Sequence, residues 1–410
     1  MSVEIRVCPP ERFTELIKTA EIAFAEDMPD DMIGRVERVA DKERWFAPFD
    51  GERMVGTSGI FTMNLKVPGG ELPTGGVTFV TVLPSHRRQG LMSGMMRRMI
   101  DDCHSRGEPL AALWAAEGAI YQRFGFGMAT ICLNLEAEAR SVGFAREWPR
   151  EGSFRMLPVG EGRELVAPIY EAARAERCGF FARPPEWWEG VLPFVEKDAK
   201  GGAARRLVVY ETADGPEAYA VYKIKSEWIG RGPKSEAVVD EAIASTPRGT
   251  REIWRYLLEL DLVRTVKTWK LPFDHPLFAL AAEPRRLGTT MGDGLWLRIV
   301  DVGAALEGRT YGIDGRGSGQ LTIELRDDYC PWNAGRWRIQ VADGRARAAR
   351  TDAAADLALD ANDLACLFMG GYAATGLATA ARVVELRPGS LVVADGLFPT
   401  PLKPWCPQEF

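Results

Sequence analysis

The chain has only three histidines in 410 residues, and its seven cysteines include no CxxC pair. A histidine-based metal site and a structural zinc are therefore not expected. The cysteines (Cys8, Cys103, Cys132, Cys178, Cys330, Cys366, Cys406) are odd in number and scattered, which argues for reduced thiols in a cytoplasmic protein. No apolar run approaches ~18 residues, and no apolar signal core opens the chain. Neither membrane spanning nor secretion is expected. Excess positive charge is missing too. The net charge of −6 gives a nucleic-acid partner no global support and suits a cationic or small neutral substrate better. What is left is an ordinary globular composition, 46% hydrophobic and 26% charged, in a chain long enough for two or three domains.

The most informative stretch runs from Phe79 to Met99. Phe79-Val80-Thr81-Val82-Leu83 is a β-branched and aromatic run that stops at Pro84. Ser85-His86-Arg87-Arg88-Gln89-Gly90 is a short basic turn. Leu91, Met95, Met96 and Met99 then recur at helical spacing. A strand, a basic glycine turn and a helix start together can bind pyrophosphate, because first-turn N–H groups are unpaired and carry partial positive charge. The plain alternative is a strand-to-helix connection with no ligand.

Taken in order, residues 3–7 alternate as a strand and residues 11–24 form a helix. Glu26, Asp27, Asp30 and Asp31 follow, either as a solvated loop or as a cation-binding rim, before a helix at 33–40. Strands at 44–49 and 54–61 flank Asp50-Gly51, a hairpin signal. Further strands are expected at 64–67, 76–83, 110–115 and 129–136, with helices at 93–106 and 120–124. This is a mixed α/β domain over residues 1–140. A polar linker spans 140–152. Residues 150–285 then repeat the layout, with strands at 207–211, 217–227, 236–244 and 265–271 and a helix at 250–262. Their turn, Ser245-Thr246-Pro247-Arg248-Gly249-Thr250, lacks a basic pair before its glycine. Residues 290–410 start with strands (294–299, 319–326, 336–341) and end with helices, an α+β pattern.

Two elements carry a family resemblance. Arg87-Arg88-Gln89-Gly90-Leu91-Met92 resembles the acetyl-CoA loop of GNAT acetyltransferases, (Arg/Gln)-x-x-Gly-x-(Gly/Ala), with Met92 where a small residue is usual. Ile120-Tyr121-Gln122-Arg123-Phe124-Gly125-Phe126 resembles the YxxxGF element after the fifth GNAT strand. With the repeated half, a third part similar to sterol-carrier domains and a C-terminal phenylalanine, the chain resembles the Eis (enhanced intracellular survival) family. That resemblance implies a mixed α/β protein: two tandem GNAT-like domains, the second degenerate, followed by an α+β sterol-carrier-like domain. It implies acetyl-CoA as co-substrate without a metal, and a small-molecule or peptide amine as acceptor, such as an aminoglycoside, a polyamine or a lysine. It also implies a homo-oligomer, a homohexamer in the family pattern. The rival is a non-catalytic scaffold or lipid-binding protein that uses the sterol-carrier-like domain.

Within that resemblance, main-chain groups of Val80, Thr81 and Val82 would pair with the pantetheine arm. Arg88, Gln89, Gly90, Leu91, Met92 and Ser93 would face the pyrophosphate, and Ala116 and Glu117 would complete the cofactor set. Tyr121 is the matching proton donor; its bland alternative is a core aromatic beside Phe124 and Phe126. The proton acceptor is the α-carboxylate of Phe410, on a proline-stiffened tail that suits extended docking. His86, His104 and His275 are the other residues with basic chemistry. Asp27, Phe79 and Glu409 are the acceptor-binding candidates, with Glu26, Phe24 and Trp45 as further wall.

Overall fold

The structure is a computed structural model that describes residues 3–25, 30–190, 203–230 and 232–410. Glu26 and Asp27 lie outside the described residues. The chain divides into two compact units. The first combines Met1–Thr130, Cys178–Ala182 and Asp293–Phe410; the second combines Ile131–Arg177 and Arg183–Gly292.

The first unit holds an eight-stranded sheet. Its order is Glu4–Val7, Trp45–Asp50, Gly56–Val67, Gly70–Val82, Leu110–Leu113, Trp296–Ile299, Gly127–Met128, with Arg53–Met54 paired to Trp45–Asp50. Gly56–Val67 is one unbroken strand, where the sequence suggests two. The reason is periodic: Phe61, Met63, Leu65 and Val67 are all buried while Thr62 and Asn64 are exposed, so the alternation continues through the supposed gap. Helix Leu91–Ser105 buries Met95, Met96, Met99, Ile100 and Cys103. Met96, Met99, Ile100 and Cys103 join Phe46, Ile60, Val77, Ala111 and Leu113 in one core.

Two strands sit elsewhere than expected. Trp296–Ile299, read as the start of the third domain, is inserted in the first sheet. It pairs antiparallel with Leu110–Leu113 on one side and Gly127–Met128 on the other, and all four of its residues are buried. Ile131–Glu138, read as the last strand of the first domain, instead pairs antiparallel with Val263–Pro272 in the second unit. A hydrophobic pattern specifies a strand; it does not name the neighbour.

The inserted strand carries a fully buried arginine. Arg298 donates to both oxygens of Asp327 (2.7 and 2.6 Å). Asp327 also accepts from the amides of Cys330 (2.8 Å) and Tyr329 (3.2 Å) and from the Asn333 side chain (3.3 Å). This pair joins the first sheet to the C-terminal part of the same unit. There, a five-stranded sheet runs Arg345–Arg350, Gly335–Ala342, Gly319–Arg326, Leu357–Asp360, Val383–Glu385. Helix Ala361–Phe368, started by a capping box between Asp360 and Asp363, buries Leu364, Leu367 and Phe368.

The second unit has a seven-stranded sheet, ordered Thr289–Asp293, Ile131–Glu138, Val263–Pro272, Ser235–Ala244, Gly215–Lys225, Arg205–Thr212, Ser153–Leu157. Helices Arg163–Glu176 and Pro247–Leu258 pack on it.

Candidate active site

Strand Gly70–Val82 runs parallel to Leu110–Leu113 for only three pairs, Thr74 with Leu110, Gly75 with Ala111 and Gly76 with Ala112. Beyond Gly76 the two strands part. On its other side the strand stays paired with Gly56–Val67 as far as Val82. A bulge interrupts that ladder, setting Phe79 and Val80 opposite Ser58 alone. Phe79 takes a φ of 51°, uncommon for a residue with a side chain. The Thr57 hydroxyl fixes the bulge: it donates to the Phe79 carbonyl at 2.6 Å and lies 2.7 Å from the Thr81 hydroxyl. Residues 77–82 therefore present one main-chain edge with no strand partner among the described residues. An extended ligand arm can add there as a neighbour.

The strand leads into the basic turn. Arg87, Arg88, Gln89 and Gly90 are all exposed. Arg88 and Gly90 have φ of 63° and 80°, and Gly90 is the N-cap of helix Leu91–Ser105 with no side chain capping it. Glycine meets the left-handed requirement without strain. The helix's first bond to a carbonyl of its own start comes from Gly94, to Gly90 at 3.0 Å. Gly90 has no side chain to cap the first-turn N–H groups of Leu91, Met92 and Ser93, and among the described residues no other side chain is bonded to them, so they suit an anion. Met92 is half-buried and its sulfur lies 3.8 Å from an Arg123 nitrogen. The Tyr329 hydroxyl donates to the Ser93 carbonyl (3.0 Å) and steadies this first turn.

Tyr121 lies on the short helix Gly118–Gln122, which starts after the exposed turn residues Ala116 and Glu117. The inserted strand supports that helix: a Cβ on Gly118 would stand 2.5 Å from the Trp296 indole. Tyr121 is 8% exposed, its ring is edge-on to Phe126 at 6.1 Å, and Val80 and Met92 pack on the same apolar cluster. Burial, then the Glu117 carboxylate, pushes its phenol above the ordinary value of 10.0. The phenol is thus protonated at neutral pH and able to donate.

The C-terminal tail is docked. The Trp405 amide donates to the Cys178 carbonyl (2.9 Å), and the Trp405 ring stands edge-on to Phe180 at 5.1 Å. The Trp114 indole N–H donates to the Gln408 carbonyl (2.8 Å). The Phe410 ring is edge-on to Phe181 at 5.2 Å. It also lies on Gly76, where a Cβ would come within 3.1 Å of it. The last residue thus sits where the two parallel strands part.

The acceptor candidates are less concentrated. Glu409 is exposed, and Phe79 is half-buried with its ring 5.5 Å from Trp45. Trp45 itself is no pocket wall. It is fully buried, edge-on to Phe13 (4.9 Å) and Phe61 (5.5 Å), and is a core residue.

Each histidine has partners of its own. His86 shares a hydrogen bond with the Ser85 hydroxyl (2.8 Å) and lies 3.5 Å from Asp50. His104 stacks on Trp332 at 4.4 Å. His275, in the second unit, accepts from the Leu277 amide (3.1 Å), and burial pushes its imidazole down to about 3, so it is neutral. Among the described residues no group of three or more His, Cys, Asp or Glu could hold a metal, and no helix is long and apolar enough to cross a membrane.

The second unit repeats the parting of strands but not the anion cradle. Ser235–Ala244 pairs in parallel with Val263–Pro272 only as far as Val239 and Thr268. The following helix starts with Pro247, which has no N–H, and the Thr246 hydroxyl already accepts from the Gly249 amide (2.9 Å). Arg248 is bound to Glu217 and to Glu151 (3.1 Å). The donors that would meet a phosphate are used internally.

Sequence comparison agrees with this layout. Family profiles described as acetyltransferase (GNAT) domain match residues 4–129 and 179–299, and a sterol carrier protein domain profile matches 302–407. An N-acetyltransferase of Streptomyces avermitilis is 35% identical over 377 residues, 91% of each chain. The crystal structure of Eis1 from Mycobacterium abscessus superposes with a TM-score of 0.84 at 29% identity, over 99% of this chain and all of that one. A GCN5-related N-acetyltransferase from Anabaena variabilis shares the fold, with a TM-score of 0.83 at 19% identity. The N-acetyltransferase Eis of Mycobacterium tuberculosis is 35% identical over 339 residues, 81% of this chain and 80% of its own. With two GNAT domains, a C-terminal sterol-carrier domain and this degree of identity, the chain belongs to the Eis family of N-acetyltransferases.

Proposed function

We propose that the protein transfers acetyl from acetyl-CoA to a primary amine by direct attack, with Tyr121 as proton donor and the Phe410 carboxylate as proton acceptor. One observation carries this reading: the Phe410 ring rests on Gly76, the point at which the cofactor strand loses its parallel partner. Acetyl-CoA supplies the acetyl group as a thioester. The free edge of residues 77–82 fits its pantetheine arm, and the uncapped start of helix Leu91–Ser105 fits its pyrophosphate. Arg88 adds positive charge beside it. The amine nitrogen bonds to the carbonyl carbon and the carbon–sulfur bond breaks. The terminal carboxylate takes the proton from the amine nitrogen, directly or through water, and Tyr121 gives one to the departing thiolate. No acyl-enzyme is needed, and all seven cysteines are buried. Asp27, Phe79 and Glu409 are retained as acceptor contacts, and the acidic residues favour a cationic acceptor of the aminoglycoside, polyamine or lysine kind. A homohexamer in the cytoplasm completes the proposal, and light scattering after size exclusion gives the subunit number.

The test is thiol release from acetyl-CoA across aminoglycosides, polyamines and lysine peptides. Turnover on none of these amines defeats the proposal. Appending one residue after Phe410 moves the carboxylate, and kcat is expected to fall about tenfold to a hundredfold with little change in acetyl-CoA affinity. An extended protein with full activity removes the carboxylate from the mechanism.

The basic turn has its own test. Arg88 is exposed, so its contribution is small and screened by salt. Arg88→Ala should weaken acetyl-CoA binding about two- to fivefold at low ionic strength, and calorimetry in high salt should find the difference largely gone. A loss that salt leaves unchanged would mean a contact other than charge.

A further inference from the structure

We infer that Trp114 is a positioning residue for the terminal carboxylate. This assignment rests on the proposed role of Phe410. Sequence reading puts Trp114 inside a buried strand at 110–115, but the strand ends at Leu113. Trp114 instead turns its indole N–H onto the Gln408 carbonyl, two residues before the terminus, at 2.8 Å. The Cys406 thiol reaches the same carbonyl at 3.2 Å, but a thiol is a weak donor, and it comes from the tail itself. Trp114 is thus a donor from outside the tail that holds this carbonyl. Its place in the chain matters as much as its bond. Trp114 belongs to the connection between Leu113 and Gly118, which also starts the Tyr121 helix. One short segment therefore sets the height of the proton donor and grips the tail that bears the proton acceptor. The Phe410 ring, seated on Gly76 and beside Phe181, fixes the end of the tail sideways. Those apolar contacts leave rotation and sliding open, whereas a directed hydrogen bond to Gln408 does not. An acetyl transfer that depends on a carboxylate at fixed distance depends on that bond.

The test compares wild type, Trp114→Phe and Trp114→His. Phenylalanine keeps an aromatic ring and loses the donor; histidine keeps a ring N–H. Carboxypeptidase A, which removes C-terminal aromatic residues, reports how firmly the end is held, with Phe410 release followed by mass spectrometry. Trp114→Phe should release Phe410 faster than wild type. Its kcat should fall about tenfold while the KM for acetyl-CoA stays within about twofold. Trp114→His should slow release again and recover part of the rate. Equal release from wild type and Trp114→Phe overturns the assignment. A fall in kcat without faster release overturns it too, since Trp114 would then act elsewhere. So does a histidine variant that releases Phe410 as fast as the phenylalanine one. Wild-type enzyme that keeps full turnover after Phe410 has been clipped away defeats the carboxylate role itself. The digest separates that failure from the others.

Discussion

Tyr121→Phe is expected to lower kcat by about a hundredfold to ten-thousandfold, the range that a positioned general acid contributes. The substitution keeps the ring that packs edge-on to Phe126 and removes only the hydroxyl. Acetyl-CoA affinity should therefore change little. A departing thiolate would have to leave without its proton, and that cost falls on the rate alone. The pH dependence carries the sign. The donor form is the protonated phenol, which burial and Glu117 favour, so its folded pKa lies above 10.0. Activity is lost only as pH rises through that raised value, so the alkaline limb should lie above the ordinary phenol range. Tyr121→Phe should abolish that limb along with most of the rate. Full activity in the phenylalanine variant, or an unchanged alkaline limb, would mean that Tyr121 is only a core aromatic.

Asp327→Ala should destabilise the first unit by about 3–5 kcal/mol, because it leaves the buried Arg298 guanidinium without a counter-charge. What Arg298 keeps is the Gly125 carbonyl, at 3.5 Å, and the Cys330 thiol, neither of them a carboxylate. The reverse change, Arg298→Met, should cost less. Asp327 would still accept from Cys330, Tyr329 and Asn333, so its charge would keep three donors. The alanine variant also orphans those donors, which adds to its loss. Urea unfolding of the two variants measures the difference, read as the midpoint shift of the transition that loses this unit. Equal losses would contradict the asymmetry. A loss below about 1 kcal/mol for Asp327→Ala would put the pair on the level of a surface bridge.

The parts of this protein that were legible in its sequence are the local ones. The strand before Pro84, the glycine turn and the Met95–Met96–Met99 stripe follow from period and turn chemistry within some twenty residues. The YxxxGF element around Tyr121 is equally local. The partners of Arg298 and Trp296 were not legible, because Asp327 and Leu113 are distant in sequence and no spacing rule links them. Trp114 was hidden for another reason. Leu110-Ala111-Ala112-Leu113-Trp114-Ala115 is apolar throughout, and an unbroken apolar run gives no hint of where a strand stops. Trp45 misled by its chemistry. Tryptophan suits a pocket wall or a core equally, and only the burial of nearly the whole strand Trp45–Asp50 decides for the core.

The insertion of Trp296–Ile299 sets the order in which the chain can mature during synthesis. Strand Leu110–Leu113 has its parallel neighbour at once, but its other neighbour leaves the ribosome roughly 180 residues later, about 10–40 s at about 5–20 residues per second. The second unit is completed within that interval. Until then the first sheet has a bare apolar edge, which invites wrong pairing. The indole beneath Gly118 is also still missing. The N-terminal domain therefore finishes after the domain that follows it.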